Sequence, residues 1–424
     1  MISKIMTCIR QRKDFIDIAY YILYASLFFS AQVGTTEFRR LSYVTELRNL
    51  VYMISTVGML VIWTLGLIVQ KDIKINAVKI IILIVGIFQF LVGGGSSLIL
   101  ILTILIGATD QKSGIVILKE SLYVGLMVLF VTFTAAMKGY IVNTVNDGGR
   151  HCFGFIFYSH FSDKILYLYM IFRCVYRKRL SIVGYSLSLL IIYFNYKYVK
   201  AKTATICLVL FLLLCLLYDC ISFLRDIKIK RNRGNNVEEV NINCELAKRL
   251  NCCSEVKNYK RKVLNIICWI TSSIYVWGCL LSFGGVLFYH WIVSQDKTDT
   301  LSRLFSIKVR MEFSTRAIDQ YGVSLFGYHI FEETPELFYL DNAYIRIFIV
   351  AGGVTLLFLC VYTTLFLRDS LWNKRYYLFF ALLVAAINGL TETYMINFYY
   401  NVFIFLALAR FDDVERAANN VRKV

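Results

Sequence analysis

The chain alternates long apolar runs with shorter polar segments over most of its length. Runs of about 18 or more residues without charge are typical of transmembrane helices, because about 20 residues cross the hydrocarbon layer of a bilayer. In lipid, every backbone polar group must be paired within the protein, and these runs are too long for barrel strands. The pattern therefore predicts an all-α, polytopic integral membrane protein with about 12 transmembrane helices. The predicted segments are 15–33, 50–70, 78–92, 95–109, 115–137, 162–176, 180–196, 203–224, 263–288, 344–367, 376–388 and 393–410.

Two long polar segments interrupt this pattern within what we take to be one polytopic domain, residues 1–424. Residues 225–262 have basic flanks and are predicted to be the main cytoplasmic loop, with cations that face anionic headgroups. Residues 290–343 are predicted to form a large external loop between the ninth and tenth helices. Loops longer than about 15 residues are usually functional or disordered, and the many aromatic residues of 290–343 favour function.

Composition and charge agree with a membrane protein. The chain is 58% hydrophobic and carries a net charge of +18, which in a soluble domain would suggest nucleic acid. If the N-terminus is cytoplasmic, about two thirds of the 46 Lys and Arg residues fall on the cytoplasmic side. This bias predicts a multi-pass membrane protein with both termini in the cytoplasm, a lipid bilayer as partner and no nucleic acid. We also expect the first apolar run to be an uncleaved span rather than a signal peptide.

The external loops hold more cations than orientation requires. Arg150, Lys202, Arg310 and Arg316 are predicted at one water–lipid boundary on the same face. Guanidinium groups bind phosphate through two parallel hydrogen bonds and keep their charge. Because a lipid-linked diphosphate presents its anion at that depth, the four cations match a polyprenyl diphosphate substrate. The alternative is that each side chain simply extends to lipid headgroups.

His329 is the candidate proton acceptor of the external loop. A neutral histidine can take a proton from a sugar hydroxyl as the oxygen attacks, and the alternative is a histidine hydrogen-bonded for structure. Acids that could bind sugar hydroxyls or a metal lie nearby in the sequence: Glu312, Asp319, Glu332, Glu333 and Asp341. No Asp-x-Asp spacing or Cys/His ligand pattern is present, so we predict neither a metal nor another cofactor.

Three segments resemble one family, the Wzy-type polysaccharide repeat-unit polymerases of bacterial capsule and O-antigen synthesis. "GGRHCFGFIFYSHF" (148–161) is similar to the family's Arg-x-Ser-x-Gly-Phe loop. "YKYVKAKTATICLVL" (196–210) is similar to a Thr-x-Ala-Arg segment that opens a span. "VRMEFSTRAIDQYGVSLFGYHI" (309–330) with "LDNAYIRIFIVAGG" (340–353) resembles the family's large external loop and the span that follows it.

The matches contain departures. Cys152 replaces the usual serine, Val309 replaces a glycine and Tyr328 replaces a glutamine. Lys202 stands where the family has arginine, and lysine keeps the charge but loses the two-pronged contact. Arg150 and Arg310 occupy the motif arginine positions.

The resemblance implies a reaction outside the cytoplasm, on the external face of the bacterial cytoplasmic (inner) membrane. The growing glycan, held as undecaprenyl diphosphate, would be transferred en bloc to a single undecaprenyl-diphosphate-linked oligosaccharide. It also implies that Arg150 and Arg310 stabilise the departing diphosphate with help from Lys202, to which we add Arg316. His329 or a neighbouring acid would activate the acceptor hydroxyl. A chain-length regulator is a further partner that the resemblance allows.

Further contacts and rival functions follow from the same loops. Tyr321 could stack on a sugar face, and Asp341 could bind sugar hydroxyls, although core packing is the alternative for the tyrosine. A related O-antigen-ligase-type transferase is not distinguished by length or loop pattern. A lipid-linked oligosaccharide flippase or other transporter would be expected to show broken helices, internal repeats or ionisable groups at the membrane midplane.

Overall fold

The computed structural model describes residues 13–69, 73–92, 97–146, 148–177, 182–235, 265–295, 305–328 and 340–411. Its helices of ten or more residues are labelled in chain order. They are α1 (Lys13–Val33), α2 (Ser42–Val69), α3 (Ile73–Val92), α4 (Ser97–Ala108), α5 (Gly114–Met137), α6 (Tyr158–Val175), α7 (Ile182–Phe194), α8 (Lys202–Asn235), α9 (Ile274–Ser294), α10 (Phe305–Tyr321), α11 (Ala343–Trp372) and α12 (Tyr376–Asn388).

The described chain is an all-α membrane protein in its architecture. Six of its helices, α1, α2, α5, α8, α9 and α11, are long and apolar enough to cross a membrane. Shorter apolar helices, such as α4, pack among them; α4 is buried over most of its length against α2 and α3. A two-stranded hairpin joins β1 (Val145–Asn146) to β2 (Arg150–His151). The coarse prediction of a helical membrane protein is therefore confirmed, whereas the count of about 12 spans is not.

The expected twelfth span, residues 393–410, is not an α-helix. The structure instead forms two buried 3-10 helices, Thr393–Ile396 and Val402–Leu408. Asn401 explains the interruption, because an asparagine side chain can hydrogen-bond to backbone groups that an α-helix would otherwise pair with one another. The amide of Asn401 donates to the Met395 carbonyl at 2.7 Å, which closes the chain into a compact turn. The apolar residues of this segment fill the bundle interior rather than span it.

The two predicted loops contain more helix than expected. The 290–343 segment begins inside α9, which ends at Ser294, and it includes the 17-residue α10. The 225–262 segment begins inside α8, which continues to Asn235. Residues 236–264, with the rest of that predicted loop, lie outside the described residues.

Helix α11 is interrupted at Gly352, whose backbone has φ 85° and ψ 166°. A segment after α10 pairs with the opened backbone. Gly353 N–H donates to the Ser324 carbonyl at 2.9 Å, and Val354 N–H donates to the Leu325 carbonyl at 3.1 Å. Irregular backbone at membrane depth is tolerated only where the protein pairs it, and the 322–328 segment does so here.

The loops divide between two ends of the bundle. At one end, Glu37 N–H donates to the Gly154 carbonyl at 2.8 Å and Ile156 N–H donates to the Thr35 carbonyl at 3.2 Å. These bonds join the α1–α2 turn to the segment before α6. At the opposite end, Lys112 pairs with Asp17, and Arg410 N–H donates to the Lys112 carbonyl at 2.7 Å. The first end carries the Arg150 hairpin, and we call it the hairpin end.

Two adjacent glycines provide a test of the break in α11. An added Cβ at Gly352 would lie 2.3 Å from the Leu325 carbonyl oxygen and would hold a positive φ that alanine disfavours. We expect Gly352→Ala to lower the free energy of unfolding by about 2 kcal/mol or more. Its neighbour Gly353 is the control, since an added Cβ would meet no atom nearer than 3.5 Å. Melting temperatures of the purified variants in detergent measure both effects, and equal temperatures would contradict the pairing with segment 322–328.

Candidate functional site

Arg310 meets two carboxylates that come from distant parts of the chain. It projects from α10, and its Nε lies 3.4 Å from Oδ2 of Asp341, just before α11. Its Nη2 lies 3.7 Å from Oε1 of Glu392, in the turn after α12. The guanidinium is only a quarter exposed, so the three charges form a partly shielded cluster. We call Arg310, Asp341 and Glu392 the charged triad.

Local capping holds Asp341 in place. The next residue, Asn342, caps α11 by accepting hydrogen bonds from the N–H groups of Tyr344 and Ile345 at 3.0 and 3.1 Å. Its amide also donates to Ser282 Oγ of α9 at 2.9 Å. Ala343 N–H donates to the Gly389 carbonyl at 2.8 Å, which ties the start of α11 to the end of α12. Asp341 and Glu392 therefore approach Arg310 from two elements that are fixed to each other.

Arg150 lies on the β1–β2 hairpin and contacts Tyr158, the first residue of α6. Its Nη1 donates to the Tyr158 hydroxyl at 2.8 Å, and its guanidinium carbon lies 4.7 Å from the ring centroid. Burial raises the pKa of the Tyr158 hydroxyl, and the charge of Arg150 opposes that shift. The charges of Glu392, Asp341 and Arg310 also act on this hydroxyl. The neighbouring Ser159 hydroxyl is hydrogen-bonded to the Tyr394 hydroxyl at 2.8 Å, which joins the start of α6 to the turn that carries Glu392.

Lys202 takes a different place from the other cations. It is exposed at the first residue of α8. The lysine that reaches the hairpin is Lys200, whose Nζ donates to the Gly148 carbonyl at 2.6 Å. Lys200 has a left-handed backbone, with φ 57°, after the π-helical turn Asn195–Val199. This turn positions Lys200 at the hairpin, two residues before the predicted Lys202.

Arg316 pairs with Glu312 on its own helix, and its side chain is 61% exposed. It lies six positions after Arg310, which places the two side chains about 120° apart around α10. The structure therefore does not bring Arg316 to the charged triad. Tyr321 ends α10, and its ring centroid lies 6.2 Å from that of Tyr328. His329 lies outside the described residues.

A buried polar layer lies beneath the charged triad, and the sequence did not single it out. Asp163 accepts a hydrogen bond from the Asn388 amide at 2.8 Å. The Nζ of Lys164 donates to the Tyr399 carbonyl at 3.1 Å and lies 4.2 Å from the Tyr400 ring centroid. The available signal was polar residues inside apolar runs, at Asp163, Lys164 and the "NGLTETY" turn that carries Glu392.

Burial sets the protonation of the triad carboxyls. It raises the pKa of Asp341, and the nearby charge of Arg310 partly opposes that shift. Burial also raises the pKa of Glu392 well above the ordinary glutamate value, and the negative charges of Asp163 and Asp341 raise it further. A raised pKa means that each carboxyl holds its proton to a higher pH than the same group does in water. The site thus combines fixed cations with two carboxyls whose proton affinity is raised.

Comparison with protein-family models, with curated protein sequences and with solved structures finds no match. Within the part of the chain that the structure describes, no group of three or more His, Cys, Asp and Glu residues is arranged to hold a metal ion.

The raised pKa of Glu392 predicts a pH-dependent stability. Between the ordinary glutamate pKa of about 4.3 and the raised folded value, the folded chain holds a proton that the unfolded chain releases, so stability falls as pH rises through this window. Glutamine cannot titrate, so Glu392→Gln should not lose this stability. The melting temperature of the variant minus that of the wild type should therefore be higher at about pH 8 than at about pH 5. Glu312→Gln, which neutralises a carboxylate outside the triad, is the control. An equal difference at the two pH values would contradict a buried, titrating Glu392.

Proposed function

We propose that the chain is a membrane glycosyltransferase that polymerises undecaprenyl-diphosphate-linked oligosaccharide repeat units. The growing glycan would be transferred en bloc to a new lipid-linked unit, with release of undecaprenyl diphosphate. The observation that carries the proposal is that Arg150, held by Tyr158, and Arg310, paired with two carboxyls, lie at the same end of an apolar bundle. The Ser159 and Tyr394 hydroxyls, 2.8 Å apart, join the start of α6 to the turn that carries Glu392. By the same proposal, this end faces outward from the cytoplasmic membrane.

The two arginines could stabilise the negative charge of the leaving group. In the transfer, the acceptor hydroxyl oxygen bonds to the anomeric carbon while the bond from that carbon to the diphosphate oxygen breaks. Negative charge then grows on the departing diphosphate, and fixed cations in a water-poor site stabilise such charge. Arg310 is partly shielded and paired with Asp341, and Arg150 donates to Tyr158, so little reorganisation is needed when the charge develops.

The triad carboxyls could accept the proton that the acceptor hydroxyl releases. The acceptor hydroxyl must release its proton as its oxygen bonds to carbon, and a carboxylate with a raised pKa can receive it. In the described structure Arg310 is paired with both Asp341 and Glu392. A bound diphosphate would compete for Arg310 and weaken one of these pairs, which would leave a carboxylate available beside the reacting sugar. We therefore add Glu392 and Asp341 to His329 as candidates for the general base.

A carrier of lipid-linked oligosaccharides is the second candidate, and one observation favours it. The break in α11 at Gly352 is the kind of discontinuous helix that many transporters use at their substrate sites. In this chain the opened backbone is paired with segment 322–328. Of the charged triad, Asp341 and Glu392 lie in turns next to helix ends, and Arg310 lies on α10, which is not among the candidate membrane spans. A ligase-type transferase would share the arginine chemistry and differ in its acceptor.

Replacement of Arg310 tests the proposal. In cells that make the glycan, Arg310→Ala should leave single lipid-linked repeat units accumulating on the outer leaflet, because the departing diphosphate loses a cation. The long-glycan ladder on a gel should disappear. Lys308→Ala is the matched control, since it removes a cation from the same helix two residues away and should leave the ladder intact.

The outcomes separate the candidates. Normal ladders in the Arg310→Ala strain would show that the site assignment is wrong. Repeat units that accumulate on the inner leaflet would instead identify a carrier. Loss of transfer to a final acceptor, with polymer still made, would identify a ligase.

A further inference from the structure

A polar cavity lies at the opposite end of the bundle from the hairpin. It has a volume of about 180 Å³ and lies where α6 ends, beside α8 and the turn from α11 to α12. Three cations line it, Arg177, Lys374 and Arg375. They come from two separate segments of the chain, so the cluster is a product of the fold.

Asp219, the acid in the cavity lining, is already paired with a cation outside that lining, Arg173. Asp219 accepts a hydrogen bond from Arg173 Nη2 at 2.9 Å, and this arginine is fully buried behind it. The Tyr185 hydroxyl donates to the same oxygen of Asp219 at 2.7 Å, and the Tyr377 hydroxyl donates to the other. Arg375 also pairs with Asp369, a half-exposed residue on the outer side. The lining therefore contains three cations and one acid, and that acid is paired with Arg173.

The turn between α11 and α12 holds two of the cations at the cavity. Arg375 N–H donates to the Ser370 carbonyl at 2.7 Å, and Lys374 has a left-handed backbone with φ 56°. The guanidinium of Arg375 lies 4.9 Å from the Phe411 ring centroid and is only 13% exposed. Helix α12 begins at Tyr376, also in the lining, and its N-cap makes no side-chain capping bond. A helix N-terminus adds partial positive charge to the cations.

We propose that this cavity binds a phosphate group. Two guanidinium groups, one ammonium group and the start of a 13-residue helix converge on one small space, and each prefers phosphate oxygens. The phosphate belongs either to the headgroup of an anionic lipid or to a free phosphate compound. This site is separate from the charged triad and does not depend on the proposed transferase activity.

Phosphate-dependent stability tests the site in the purified full chain. In a neutral detergent, inorganic phosphate should raise the melting temperature of the wild type above that in chloride of equal ionic strength. The double variant Arg177→Gln/Lys374→Gln should weaken the apparent affinity by about tenfold or more, since charged hydrogen bonds are lost. Arg368→Gln is the control, because Arg368 lies at the same end, stacked 4.2 Å from the Trp269 ring centroid and outside the cavity.

A second measurement distinguishes the two sources of phosphate. Nanodiscs of phosphatidylcholine, with and without phosphatidylglycerol, should stabilise the wild type more than the double variant if the ligand is a lipid headgroup. A difference seen only with inorganic phosphate would identify a free phosphate compound. If wild type and variant respond alike to both probes, the proposal is wrong. Should the double variant unfold without ligand, the exposed single change Lys374→Gln answers the same question.

Discussion

Backbone pairing at the break in α11 is the constraint on which the hairpin end depends. Within an apolar bundle, an opened helix must find partners for its N–H and carbonyl groups inside the protein. Segment 322–328 supplies them at Gly353, Val354 and Ile349. Phe326 in that segment also packs edge-on against Phe88 of α3, with ring centroids 4.7 Å apart. Because the segment continues directly from α10, this pairing also positions Arg310.

Charge balance then decides what the site can do. Buried charges are costly unless they are paired, and Arg310 is paired with two carboxyls from different elements. An arrangement with one shared cation between two acids favours exchange of partners when another anion arrives. Arg150 is held instead by the hydroxyl and the ring of Tyr158. In the proposed function, these contacts keep both guanidinium groups in place before an anion binds.

The two ends of the bundle differ in their chemistry. The hairpin end mixes arginines, carboxyls and tyrosines around Tyr158. The opposite end carries a positively charged cavity, whose one lining acid is already paired with Arg173. An outward-facing reaction site and a headgroup-facing basic surface would place these two ends in different surroundings. That division follows the proposed orientation, in which basic residues gather on the cytoplasmic side.

The sequence by itself determined the helical membrane class, because apolar runs and backbone pairing in lipid are local requirements. The sequence also predicted Arg150 and Arg310 on one face. In the structure, the Ser159–Tyr394 hydrogen bond at 2.8 Å joins the helix start that holds Arg150 to the turn that carries Glu392, the partner of Arg310. Only the tertiary structure decided that Glu392 joins Arg310, that Arg316 faces away, and that 393–410 turns inside the bundle. These outcomes depend on helix rotation and on contacts between segments far apart in the chain. No local pattern of polar and apolar residues encodes such contacts, since packing against distant elements selects them.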